Sequence, residues 1–238
     1  EQILFSNDAF GQHYSTNFKF DDENDLSELL YEAKKYYANI LMPFNKLVVK
    51  ALDNLGLLSI RMIAPSHGLI WRAHIADILS LYKKWSAGET DPLVLVVYDS
   101  MWGSTEMMAR RILEGLTAGG IKAKLFRMAD SDKSELIAEL LTARGLICGS
   151  STLNNGMLPT MAAVLYYVKG LKPINKSGAA FGAYGWAGGA QADMELALKA
   201  AGIEVAMTGP TLKWAPNQDE IQRCFEFGRE FAEKMLNR

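Results

Sequence analysis

The chain reads as an α/β protein, a doubly wound parallel five-stranded sheet over residues 91–238, preceded by a smaller domain of different texture over residues 1–88. Three observations predict this. From residue 91 onward, strand-like runs alternate with helical ones, the order that lays a parallel sheet between two layers of helices. Leu93 to Tyr98 (LVLVVY) is an unbroken apolar run, as a strand buried on both faces requires. Loops rich in Gly, Ser and Asn follow three of the strands, at the ends where ligands collect in open parallel sheets.

Taken in order, Leu93–Tyr98 is the first strand, and the loop DSMWGS leads into a helix over Thr105–Thr117. Lys122–Phe126 is the second strand and Asp132–Thr142 the second helix. Leu146–Cys148 centres a third strand that ends in GSSTLNNG, and Pro159–Val168 is helical, with Pro at a tolerated early position. Ala179–Ala183 is the fourth strand, running into YGWAGG, and Ala190–Ala201 the helix after it. Ile203–Met207 supplies the fifth strand. Asp219–Leu236 closes the chain as an amphipathic helix with Ile221, Phe225, Phe231 and Met235 on its buried side. The first 90 residues hold a strand-like opening, helical stretches between Leu26 and Leu55, a short strand (IRMIAP) and a helix over Ala73–Trp85. SAGETD, small and polar, reads as the linker.

Composition narrows the classes. A formal charge of −2, from 25 basic and 27 acidic residues, provides no field for a nucleic-acid backbone. No apolar run approaches the roughly 18–20 residues that span a bilayer, so neither a membrane nor nucleic acid is an expected partner, and a cytoplasmic location is expected. Cys148 and Cys224 lack C-x-x-C neighbours and read as buried, reduced thiols. The first residue is not Met and the strand-like text begins at once, which suggests a fragment.

The chemistry should sit in the loops. Ser100, Met101, Trp102, Gly103, Ser104 and Thr105 place three hydroxyls and a glycine between a buried strand and a helix start, where backbone N–H groups favour an anion. The loop has neither Lys nor Arg, no G-K-[ST] and no dinucleotide fingerprint, so a single phosphate held by neutral donors is the expectation. Ser151, Thr152, Leu153, Asn154, Asn155 and Gly156 follow the third strand; Tyr184, Gly185, Trp186, Gly188 and Gly189 follow the fourth. Their amides, flat rings and glycines suit an edge-polar heterocycle. Any one such loop is an ordinary turn, but three at adjacent strand ends point to flavin mononucleotide (FMN). A phosphorylation receiver shares the winding but needs an acceptor Asp where this chain has Gly149-Ser150-Ser151.

The segments D-S-M-W-G-S-T, G-S-S-T-L-N-N-G and A-Y-G-W-A-G-G, in that order and spacing, resemble the flavodoxin-like domain of the flavodiiron proteins, which reduce oxygen or nitric oxide. Upstream, L-F-S-N-D-A-F-G-Q-H and A-P-S-H-G-L-I-W are similar to the second half of that family's metallo-β-lactamase-like αββα domain. The resemblance implies that Asp8 and His67 are iron ligands. His13 and His74 are read as structural, His74 on a helix face. Ser151 stands where the family carries a Pro, which implies a looser flavin edge. The family's H-x-E-x-D-H motif is absent, so a complete di-iron site is expected only if the missing half-domain is supplied.

The resulting expectation is an FMN-dependent electron-transfer flavoprotein of flavodiiron type, an oxidoreductase. By resemblance its donor is a small rubredoxin-like protein or a flavin reductase, and its assembly a head-to-tail homodimer. Two rivals remain: a flavin electron shuttle without metal catalysis, and a hydrolase of the metallo-β-lactamase fold.

Overall fold

The computed structural model describes residues 2–237; Glu1 and Arg238, the outermost residues of the two predicted domains, lie outside the described residues. The chain divides into two units, Glu1–Glu89 and Thr90–Arg238.

In the first unit, β1 (Ile3–Asn7) pairs in parallel with β2 (Met62–Pro65). Between them run α1 (Leu26–Tyr36), a π turn over Tyr37–Leu41, a 3-10 turn over Met42–Phe44, and α2 (Asn45–Leu55). Pro43 has no N–H to give to a helical ladder, and the irregular turns absorb that loss. Buried Tyr37, Trp71, Tyr82 and Trp85 fill the centre, with Trp71 Nε1 donating to Phe10 O at 2.8 Å. α3 spans Ile75–Ala87, two residues later than predicted at its start. The reason is Asp21. Its fully buried carboxylate accepts from the backbone N–H of Arg72, Ala73 and His74, holding that turn outside the helix. His74 is therefore at the N-cap and not on a helix face, with Nδ1 3.0 Å from Asp77 Oδ2. The predicted linker also shrinks, because Ser86 and Ala87 complete α3, Gly88 caps it, and Asp91 already begins the next strand.

The second unit is the expected doubly wound sheet. β3 (Asp91–Asp99), β4 (Lys122–Arg127), β5 (Ala143–Ser151) and β6 (Ser177–Tyr184) lie in the order β4-β3-β5-β6, all parallel. α4 (Ser104–Ala118), α5 (Lys133–Thr142), α6 (Pro159–Leu171), α7 (Ala190–Ala200) and α8 (Gln218–Leu236) complete it. The chain runs from β3 outward to β4 on one side, then crosses back over β3 to β5 on the other, so the order reverses between β3 and β5. Ligands gather outside the carboxyl ends at such a point.

The fifth strand departs from expectation. Ile203–Met207 does not form one strand; β7 (Glu204–Val205) and β8 (Thr211–Lys213) each pair in parallel with β6. Pro210 between them has no N–H for a ladder. The side chain of Gln191 bridges the gap, its Nε2 donating to Ala180 O and Gly209 O while Thr211 Oγ1 donates to its Oε1. The buried stripe of α8 is also rotated. Cys224, Phe227, Phe231 and Met235 are buried, whereas Ile221 and Phe225 are half-buried and the Arg111 guanidinium lies 4.6 Å from the Phe225 ring centre.

Candidate functional site

At the carboxyl ends of β3, β5, β6 and β8 lies a cavity of about 470 Å³, within the range typical of small-ligand sites. Sheet register sets its walls level: Asp99 pairs with Ser150, Ser150 with Gly182, and Gly182 with Thr211. From the first loop, Met101, Trp102 and Ser104 line it. The loop after β5 contributes Ser151 through Asn155, and the loop after β6 contributes Tyr184, Gly185 and Trp186. No lining side chain is charged. Trp102 and Trp186 are about as exposed as side chains become, at 91% and 90%.

Six predicted residues do not line the cavity, and five support it. Gly103, at φ +88, is the N-cap of α4, and no side chain caps that helix. α5 and α8 are capped by Asp132 and Asn217, whereas α6 and α7, like α4, have no side-chain cap. The first N–H groups of α4 are thus left for an anion. Ser100 Oγ accepts from Gly103 N at 3.1 Å and shapes that turn. Thr105 is fully buried and its Oγ1 lies 2.9 Å from Ser151 Oγ. Ser151 Oγ also accepts from Met101 N at 3.4 Å, so Ser151 ties the loops after β3 and β5 together. Gly189 has φ +147, and a Cβ there would stand 1.9 Å from Asn155 O; the loops after β5 and β6 meet through its bare backbone. Gly156 hydrogen-bonds Leu153 in both directions and closes the tight turn that presents Asn154 and Asn155, both at positive φ. Gly188 is exposed and a Cβ would meet nothing there.

The sequence reading missed Trp214, together with Ala183 and Ala187. Trp214 follows β8, takes φ +62, and donates its N–H to Tyr184 O at 2.8 Å. A Cβ on Gly185 would lie 2.8 Å from its ring, and the ring meets Trp186 edge-on, centroids 5.4 Å apart at 76°.

In the first unit, Asp8 and His67 come together, His67 Nε2 lying 3.4 Å from Asp8 Oδ1, both half-exposed. Buried Gln12 aligns the two loops: its N–H donates to His67 O, its Oε1 accepts from Leu69 N and its Nε2 donates to Leu69 O. Tyr36 OH donates to Asp8 Oδ1 at 3.2 Å, and burial, with Asp8 adding to it, pushes that phenol up to about 12. His13, read as structural, has its ring 4.9 Å from Tyr36 and 5.8 Å from His67. Among the described residues no group of three or more His, Cys, Asp or Glu is arranged to hold a metal ion. Nor is any helix among them long and apolar enough to cross a membrane. Cys148 and Cys224 are free and buried.

Known proteins share this architecture. The sequence profile of the family described as Flavodoxin matches residues 96–228. The chain is 48% identical over 240 residues to a nitric oxide reductase of Moorella thermoacetica, covering all of this chain and 60% of that one. It is 42% identical over 236 residues to the anaerobic nitric oxide reductase flavorubredoxin of Escherichia coli, covering 98% of this chain and 49% of that one. Among solved structures, the rubredoxin oxygen:oxidoreductase of Desulfovibrio gigas superposes with a TM-score of 0.96 at 33% identity, covering 100% of this chain and 60% of that one. The flavodiiron protein of Giardia intestinalis gives 0.95 at 33% identity, covering 99% and 59%. The chain thus spans between about half and three fifths of the length of these curated relatives. With a flavodoxin domain at residues 96–228 and likeness to these enzymes along its whole length, the chain belongs to the flavodiiron proteins.

Proposed function

We propose that this chain is the flavin-bearing part of a flavodiiron oxidoreductase that reduces nitric oxide to nitrous oxide or oxygen to water. One observation carries the reading: three strand-end loops and an uncapped helix start converge on a single uncharged cavity. Its residues fit FMN. The open N–H groups of α4 and the Ser104 hydroxyl would hold its phosphate, while Leu153, Asn154 and Asn155 would offer polar groups to its ring and Met101, Trp102, Tyr184 and Trp186 would offer apolar surface. Ser100, Gly103, Thr105, Ser151, Thr152, Gly156, Gly185 and Gly189 form the loops that set these groups in place, while Gly188 touches nothing there. FMN, when bound, supplies reversible one- and two-electron transfer; the chain binds it, orients it and tunes it.

Iron is a different matter. Asp8 and His67 are two donors, and a di-iron centre takes several carboxylates and imidazoles on two ions. The donor set on this chain does not fit that centre by itself. We assign Asp8 and His67 as ligands that complete an iron pair with donors from the further polypeptide such relatives carry. A rubredoxin-like donor accords with the name of the Desulfovibrio gigas protein. A head-to-tail homodimer in the cytoplasm completes the reading, on the family resemblance. The test is the cofactor: purified protein should hold about one flavin per chain, released as FMN on chromatography and reducible in place. A colourless protein that takes up no added FMN refutes the proposal.

A further inference from the structure

Trp186 is 90% exposed, and a ring so placed in solvent would ordinarily explore several rotamers. Here it has one aromatic neighbour, the edge-on ring of Trp214. Trp214 is itself held in an uncommon way. Its backbone lies in the left-handed region, which a bulky residue seldom adopts, and its N–H is fixed to Tyr184 O one step past the last β6–β8 pair. Its ring lies over the bare backbone of Gly185, in space that a Cβ would take. The split fifth strand, the missing side chain and the strained residue thus act on one object, the direction of Trp186.

We propose that Trp214 is the positioning residue for Trp186, and that Gly185 is required because its lack of a Cβ admits the Trp214 ring; this rests on the reading of the cavity as the flavin site. The ligand part concerned is the planar heterocycle, not the phosphate. The two are separable, because riboflavin carries the ring without the phosphate.

The experiment uses the full 238-residue chain, with FMN and riboflavin as titrants and the midpoint potential of bound FMN as a second readout. W214A should weaken both titrants roughly five- to tenfold, as loss of an aromatic contact implies, and shift the potential. W214F should restore most of both. W186A and the W186A/W214A double variant should be equal, since Trp214 acts through Trp186. G185A should reproduce W214A with the fold intact. Additive losses in the double variant, an unchanged potential in W214A, or a G185A protein that binds like wild type would each overturn the assignment. Wild-type protein that binds neither titrant would instead defeat the flavin reading itself.

Discussion

Replacing Gly189 by Ala tests whether the loops after β5 and β6 act as one wall. The new Cβ would sit 1.9 Å from Asn155 O, a separation at which something must move, and the φ of +147 is one that Ala rarely takes. The backbone strain costs roughly 1–3 kcal/mol, and relieving the overlap brings the loss to about 2–4 kcal/mol. For a protein of this size that is a fall of roughly 5–15 °C in melting temperature. Asn155 lines the cavity, so FMN affinity should fall too, by about tenfold for each 1.4 kcal/mol of misplacement. Gly188 provides the control one residue away. It has no positive φ, its Cβ would meet nothing within 4 Å, and G188A should stay within about 0.5 kcal/mol of wild type. Flavin release on heating, read by fluorescence, reports on this unit directly. If the two variants melt together, the contact through Gly189 has no structural weight and the two loops do not act as one wall.

Three further outcomes are expected. D21A should lower stability by about 2–4 kcal/mol in urea, since three backbone N–H groups at the start of α3 lose their acceptor, while D21N should keep most of it; equal stability of D21A and wild type counts against the capping role. Burial pushes the thiols of Cys148 and Cys224 up to about 12 and 11, so iodoacetamide at pH 8 should leave native protein unlabelled and modify both after unfolding; rapid native labelling would contradict their burial. Metal analysis of the 238-residue protein should find well under two irons per chain. Co-expression with the upstream portion of a relative should raise iron and turnover together, and Asp8→Ala or His67→Ala should abolish both; a full iron pair on this chain alone would show that the donors have been miscounted.

Much of the fold was legible because buried parallel strands leave unbroken apolar text: LVLVVY announces β3, and the loops at the ends of β3, β5 and β6 announce the cavity. What escaped was short or assembled at a distance. β8 has three residues, too few to show a period, so the strand went unread and Trp214 at its end with it. Ile203–Met207 looked continuous because its apolar residues pack on the sheet, although the ladder itself stops at Val205. Tyr36 reaches Asp8 across 28 residues and His13 meets both Tyr36 and His67, contacts made only by tertiary folding. Thr105 belongs to the loop expected to meet the phosphate and Ser151 to the loop expected to meet the ring; that each is the other's partner is a fact of strand order.

The broken fifth strand bears on how the protein behaves when concentrated. A long, flat border strand offers its unpaired N–H and C=O groups to a neighbouring molecule, which is how sheets grow into aggregates. Here the border beyond β6 comes in pieces of two and three residues with Pro210 between them, too short to template another strand. At the opposite border β4 carries Lys122, Lys124 and Arg127, the last two paired with Glu139 and Asp130, and a second strand laid there would have to accommodate this charged, hydrated row. Association of this sheet through its borders is discouraged by geometry on one side and by charge on the other, even before a ligand stiffens the loops.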